Sequence, residues 1–202
     1  MAKKRMTAEE RKQSLVEATI RVVARLNYDR ATTALIAKEA GINEAMIYHH
    51  FSSKTELQLA TLDYLIDFRL ELYKANPVFK EENSHLSIFK ELNAQYLQMI
   101  QSPEIKMFAC ILKAIFALDP RIREKGIESC MAFFEFNKQN LIKDKKRGFF
   151  NDQYDPEIIA WEIIAKIMLV STLAVNDRLE MFGVKNIKKS IDYFERIYFS
   201  KK

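Results

Sequence analysis

An all-α fold is what this sequence predicts, and three observations carry that expectation. The 202 residues include only 4 Gly and 4 Pro, too few for a chain built of many tight hairpins. Apolar residues recur at three- and four-residue intervals along most of the chain, which is the period of one helix face. No segment sustains the two-residue alternation of a half-buried strand. A hydrophobic content of 49% supplies a real core, in one domain or two small ones. The periodicity divides the chain into about nine helices.

The first helix starts at Thr7, which forms a Ser/Thr-x-x-Glu capping box with Glu10. Leu15, Ala18, Ile20, Val22, Val23 and Leu26 give it a broad buried face. A turn follows at Leu26-Asn27-Tyr28-Asp29, where Asn tolerates the left-handed region. The second helix runs from about Thr33 to Ala40, capped by Thr32 or Thr33, with Ile36, Ala37 and Ala40 on one stripe. Gly41 stands where a left-handed residue stops a helix. Asn43 can cap a third helix of about Glu44 to His50, and Glu44 sits where the positive helix end favours an acid. Ile47, Tyr48 and Phe51 continue the helical spacing. Ala37, Gly41 and Ile47 together fit a helix-turn-helix over residues 32–51, with a small residue at the crossing, positive φ in the turn and a branched residue pinning the second helix. Any helical hairpin can show this spacing, so the neighbouring residues matter. A second capping box, Ser53 to Glu56, opens a fourth helix that carries Leu57, Leu59, Leu62, Leu65, Ile66, Leu70 and Leu72 and stops at Asn76-Pro77.

Residues 77–83 read as a charged connector, and a fifth helix covers about Ser84 to Gln101. Ser102-Pro103 and Asp119-Pro120 each pair a cap with a first-turn Pro, starting helices of about 103–118 and 120–147. The basic run Lys143, Lys145, Lys146 and Arg147 offsets the dipole at a helix end, a simpler account than a second nucleic-acid patch. Asp155-Pro156 opens an eighth helix closed by Gly183. It is apolar nearly all round, as a helix buried on several sides must be. The ninth, about 185–199, has Ile187, Ile191, Phe194, Ile197 and Tyr198 on one stripe.

The net charge of +5 permits a nucleic-acid partner without requiring one. Lys3, Lys4 and Arg5 could reach phosphates, or be a solvated tail. Cys110 and Cys130 lie in apolar helical patterns and read as small buried side chains. His49 and His50 point about 100° apart on a helix and cannot chelate one metal on one face. Neither a metal site nor a cofactor is expected. No Gly-rich phosphate loop or nucleophile elbow is present, so an enzyme is the least supported class. The charged start is no signal peptide, and Ile167 to Val175 is too short to span a bilayer. A cytoplasmic protein with no membrane partner is expected.

The run IAKEAGINEAMIYHHFSSKTEL closely resembles the N-terminal domain of the tetracycline-repressor (TetR) family. The resemblance covers residues 9–69; residues 77–202 share only the helical layout. It implies an N-terminal three-helix helix-turn-helix domain, a C-terminal helical effector-binding and dimerisation domain, and a homodimer on a palindromic double-stranded DNA operator. By resemblance the DNA-contacting set is Thr32, Thr33, Asn43, Glu44, Ala45, Met46, Tyr48, His49 and Lys54. Ala45 and Met46 suit thymine methyls, and Lys54 suits a phosphate at a helix N-terminus. Two departures stand out: relatives usually have Gly in the turn after the first helix, and Glu44 replaces a basic or polar residue. An acid would repel phosphates, which leaves it a base edge or the cap. A small hydrophobic effector is expected among the fourth to eighth helices, against Tyr96, Met99, Phe108, Phe116, Phe134, Trp161 and Met168, although such residues are also ordinary core. The dimer is expected through Ile164, Ile167, Ile187, Ile191 and Phe194 of the last two helices. The implied function is a transcriptional regulator, most often a repressor released by its ligand. The alternative is a dimeric helical ligand-binding protein that does not read DNA sequence.

Overall fold

The computed structural model describes residues 6–102 and 104–199. Among them the chain forms nine α-helices: α1 (Ala8–Arg25), α2 (Thr33–Ala40), α3 (Ala45–His50), α4 (Lys54–Lys74), α5 (Ile88–Met99), α6 (Ile105–Ala114), α7 (Pro120–Lys146), α8 (Pro156–Val175) and α9 (Val184–Tyr198). Three short 3-10 turns and one isolated bridge, Phe150 to Phe199, complete the described elements. The all-α expectation holds. Lys3, Lys4, Arg5 and Pro103 lie outside the described residues. Contacts gather the chain into two compact units: residues up to Phe68 with Cys110–Glu128, and Arg69–Ala109 with Ser129–Lys202. Residues 110–128, which a linear division assigns to the C-terminal part, therefore pack with the N-terminal helices.

The first unit is assembled by its caps as much as by its core. Thr7 and Glu10 form the expected box, the Glu10 N–H donating to Thr7 Oγ1 at 3.1 Å and the Thr7 N–H to Glu10 Oε2 at 2.7 Å. Leu15, Ala18 and Val23 of α1 are fully buried. The turn after α1 differs from expectation. Asn27 has no positive φ; its Oδ1 accepts the Arg30 N–H at 2.8 Å and its carbonyl the Ala31 N–H at 3.1 Å. A side-chain acceptor thus closes the turn without left-handed backbone. Gln58, buried in α4, donates to the Tyr28 carbonyl at 2.8 Å. Lys113 of α6 donates to the Val23 and Ala24 carbonyls at 3.2 and 2.5 Å, satisfying acceptors left open at the end of α1. Gly126 permits α7 to approach α6, since a side chain there would meet Ala114 Cβ at 2.8 Å. Cys110 is buried and its thiol is pushed up to about 12 by desolvation.

In the second unit a buried carboxylate fixes where α5 begins. Asp144 of α7 is fully buried and accepts from the Ser87 hydroxyl (2.8 Å) and from the N–H groups of Ile88 (3.0 Å) and Phe89 (2.9 Å). With Ser87 as N-cap, α5 starts at Ile88 rather than Ser84. The helix opened by Asp155-Pro156 stops earlier than expected, at Val175. Asp177 takes φ +52, a 3-10 turn spans Leu179–Met181, and Gly183 at φ +77 precedes α9.

The proposed dimer residues are corrected by their burial. Ile164, Ile187, Ile191 and Phe194 are buried in the unit's own core, and Ile167 packs against it. Ile164, Ile187, Ile191 and Phe194 thus offer little surface to a partner chain, whereas Ile167 keeps part of its surface exposed. The exposed apolar residues of the same two helices are others: Ile158, Trp161 and Leu169 on α8, Tyr193 and Ile197 on α9, each about half exposed or more. The excess apolar surface expected of α8 is real, but its phase is different.

Candidate nucleic-acid interface

The α2–α3 pair is set by one left-handed residue. Gly41 takes φ +67 and ψ 36, its N–H donating to Lys38 O at 3.2 Å and that of Ile42 to Ala37 O at 3.0 Å. Ala37 and Ile47 are buried and hold the two helices together. Asn43 acts as the cap expected of it: its Oδ1 accepts the Met46 N–H at 3.0 Å. Thr32 caps α2, accepting from the Leu35 N–H at 3.3 Å.

With Ile47 inward, the opposite side of α3 faces solvent. Asn43, Glu44, Ala45 and His49 are exposed, Tyr48 is 53% exposed, and Met46 is half-buried. Thr32 is exposed beside them and Lys54 is half-buried in the first turn of α4. There the Ser53 hydroxyl accepts the Glu56 N–H at 3.1 Å, one half of the expected box.

Thr33 and Glu44 depart from the roles assigned by sequence. Thr33 is buried, and its hydroxyl donates to a Glu44 carboxylate oxygen in a short bond. The Tyr48 hydroxyl lies 3.4 Å from the same Thr33 oxygen. Thr33 therefore ties α2 to α3 and has no free donor for a phosphate. Glu44 makes no bond to a helix N–H; its charge is drawn back onto Thr33.

The two histidines separate as expected, His49 exposed and His50 partly covered, with rings edge-on at 5.1 Å. Partial burial pushes the His50 pKa down, and the charges of His49, Lys12 and Arg11 push the same way. Arg11 and Lys12 of α1 therefore lie close enough to His50 of α3 to disfavour its imidazolium. Sequence reasoning missed this contribution of α1. It also missed the clamp behind it, in which Glu39 of α2 binds Arg21 at 2.8 Å and Arg25 at 2.6 Å. Hydrogen bonds from Arg25 and then Arg21 hold the Glu39 carboxyl below the usual carboxylate range.

The expected effector residues do not converge. Tyr96, Met99 and Phe108 share one core cluster, while Phe134 lies in another with Met168 packed against it. Trp161 is half exposed and its ring lies tilted, 4.4 Å from that of Phe134. Phe116 is 77% exposed. Of the seven, Tyr96 alone borders the small cleft lined by Asn93, Ile163, Lys166, Ile167 and Ile191.

The pattern of bacterial regulatory proteins of the tetR family matches residues 15–61, from mid-α1 into α4. The chain is 32% identical over 99 residues to the HTH-type transcriptional regulator BetI of Pseudomonas fluorescens, a match covering 48% of this chain and 50% of that one. It therefore spans about half the length of this relative. Two solved structures share the fold at low identity. A TetR transcriptional regulator from Chloroflexus aurantiacus superimposes with a TM-score of 0.79 at 16% identity, covering 96% of this chain and 98% of that one. A putative transcriptional regulator from Saccharomonospora viridis in complex with choline gives 0.76 at 19%, covering 96% and 100%. No described helix is long and apolar enough to cross a membrane. With its Gly41 turn, its Ile47 pin and the outward face of α3, the N-terminal part of this chain is a helix-turn-helix domain of the tetR family of bacterial regulatory proteins.

Proposed function

We propose that the chain is a DNA-binding transcriptional regulator, a repressor that leaves a palindromic operator when a small molecule binds its C-terminal unit. The observation that carries this reading is α3 itself: a short helix pinned by Ile47 whose Ala45, Tyr48 and His49 are turned to solvent. In a two-fold pair, two such helices enter successive major grooves about 34 Å apart. Ala45 and Met46 make apolar contact with thymine methyls, and His49 reaches a base edge or phosphate. Tyr48, Thr32 and Lys54 position the backbone. Asn43 shapes the helix start, while Thr33 and Glu44 act indirectly by holding α2 against α3.

The pair forms through the exposed stripes of α8 and α9, Ile158, Trp161 and Leu169 with Tyr193 and Ile197. Large apolar side chains on adjacent helix faces are costly in water, and a second copy covers them. A ligand then acts by preferring one spacing of the two α3 helices over another. Choline occupies the structural relative from Saccharomonospora viridis, which supports a small-molecule effector as a class. The reading places the protein with DNA in the cytoplasm.

Selection of bound sites from a random DNA pool tests the proposal. A palindromic consensus, bound far more tightly than random DNA and with a steep salt dependence, is expected. Enrichment of no sequence would refute it.

A further inference from the structure

Arg69 of α4 is a buried cation with no acid beside it. Only 7% of its surface stays accessible. Its Nη2 donates to the hydroxyl of Ser129 on α7 at 2.9 Å and to the Ser129 carbonyl at 3.2 Å. The guanidinium carbon lies 4.8 Å from the centre of the Phe133 ring, one turn further along α7. Nη1 makes no bond among the described residues, and Nε is buried and unbonded.

No carboxylate of the described residues supplies the missing charge. The groups that act on the guanidinium are Tyr73 and Cys130. Both are neutral: burial pushes the Tyr73 hydroxyl up to about 12 and raises the Cys130 thiol as well. The acids closest in sequence, Asp67 and Glu71 on α4 and Glu128 on α7, are exposed. Arginine does not escape by losing its proton. A buried guanidinium therefore keeps its full charge, which a protein interior tolerates poorly unless the charge is paired. The Phe133 face and two neutral oxygens offset part of that cost.

The groups around Arg69 define the guest. The Ser129 hydroxyl accepts from Arg69, and its own proton has no acceptor among the described residues. The unused valences here are thus all donors. Beyond them the surroundings are aromatic: Tyr73 and Phe133 stack at 5.5 Å, and the Phe136 ring lies 5.4 Å from that of Tyr73. One positive charge, few donors and closely packed rings suit a monatomic monovalent anion, whose bulk is about that of one water molecule. A tetrahedral dianion would need more donors, and a carboxylate would bring carbon atoms into the ring cluster.

We infer that the second unit binds chloride at the Arg69 guanidinium, with the Ser129 hydroxyl as a further donor. The ion supplies the counter-charge that the chain itself does not, and so stabilises the fold of this unit. The site does not depend on the regulator reading.

Thermal unfolding of the full chain, followed by circular dichroism in potassium chloride and in potassium gluconate at equal ionic strength, tests the site. Wild type should melt higher in chloride, the gain growing with each tenfold rise in chloride as one-site binding requires. Arg69→Met, an apolar replacement of similar length, should melt alike in the two salts. Ser129→Ala keeps the guanidinium and should need several-fold more chloride for the same gain. Crystals of wild type soaked in sodium bromide should show an anomalous peak in contact with Arg69. Equal melting of wild type in the two salts overturns the proposal. So does a chloride gain that survives Arg69→Met, which is a general salt effect, or a bromide soak that shows no peak at Arg69. An unchanged chloride requirement in Ser129→Ala overturns the assigned position.

Discussion

Replacing Gly41 separates two reasons for a glycine in the α2–α3 turn. One is conformational: φ +67 is left-handed backbone that a β-carbon disfavours. The other is steric: a small residue where two helices cross. The structure decides for the first, because a β-carbon built on Gly41 meets nothing within 4 Å. The cost of Gly41→Ala is then the backbone term alone, roughly 1–2 kcal/mol. Gly41→Asn should cost less than alanine despite its greater size, since Asn tolerates this region. The buried Ala37 is the small residue at the contact. Urea unfolding followed by circular dichroism orders the three proteins. Wild type should be most stable, the Asn variant next and the Ala variant least, with DNA sequence preference unchanged wherever the domain is folded. An Asn variant less stable than the Ala variant would show that space, and not φ, governs the turn, and the geometric argument for α3 would fail with it.

Other outcomes follow from the same structure. Lys54→Ala should weaken DNA binding by a similar factor on every sequence and reduce the salt slope by about 1, read by fluorescence anisotropy over a salt series; a loss confined to one sequence contradicts a phosphate role. Met46→Ala should shift base preference by about 1 kcal/mol in a site selection; an unchanged consensus removes it from the reading set. Leu169→Asp should give folded monomers in sedimentation, whereas Ile164→Asp, placed in the core, should unfold the second unit; folded dimers of the Leu169 variant move the contact elsewhere. The lowered pKa of Glu39 contributes stability that is present above the unfolded carboxylate value and lost as pH falls through the folded one. The stability gap between wild type and Glu39→Gln should therefore narrow as pH falls below the ordinary carboxylate range in urea titrations; a constant gap contradicts the clamp.

Elements announced by local chemistry were legible in the sequence. Thr7 with Glu10, Asp155 before Pro156, and Gly41 each mark a helix end through a bond or dihedral made within four residues. Ends set from a distance were not. The start of α5 depends on Asp144, 55 or more residues away in sequence, and no local signal reports that partner. The stop of α8 was hidden for another reason: Asp177, a non-glycine residue, takes the left-handed turn six residues before the Gly183 that seemed to end the helix. The phase of α8 was likewise obscure. A helix apolar nearly all round has no polar face to orient it, so Ile164 and Leu169 look alike in sequence although one is buried and the other 62% exposed.

The same limit explains Glu44, and the resolution bears on recognition. Read along the sequence, an acid at the start of a DNA-reading helix is a liability, since phosphates repel it. In the structure its carboxylate accepts the hydroxyl of Thr33, eleven residues earlier, and the Tyr48 hydroxyl lies beside that oxygen. One hydroxyl comes from the buried Thr33 and the other from the exposed Tyr48. The acid therefore orders a tyrosine and a threonine across the α2–α3 junction, trading long-range repulsion for a fixed position of α3. Because the repulsion is screened by salt and the hydrogen bond is not, added salt lowers the cost of the acid in the proposed DNA complex and leaves its tie to Thr33 in place. An acid in a recognition helix is thus compatible with reading DNA when a neighbouring helix supplies the hydroxyl that holds it.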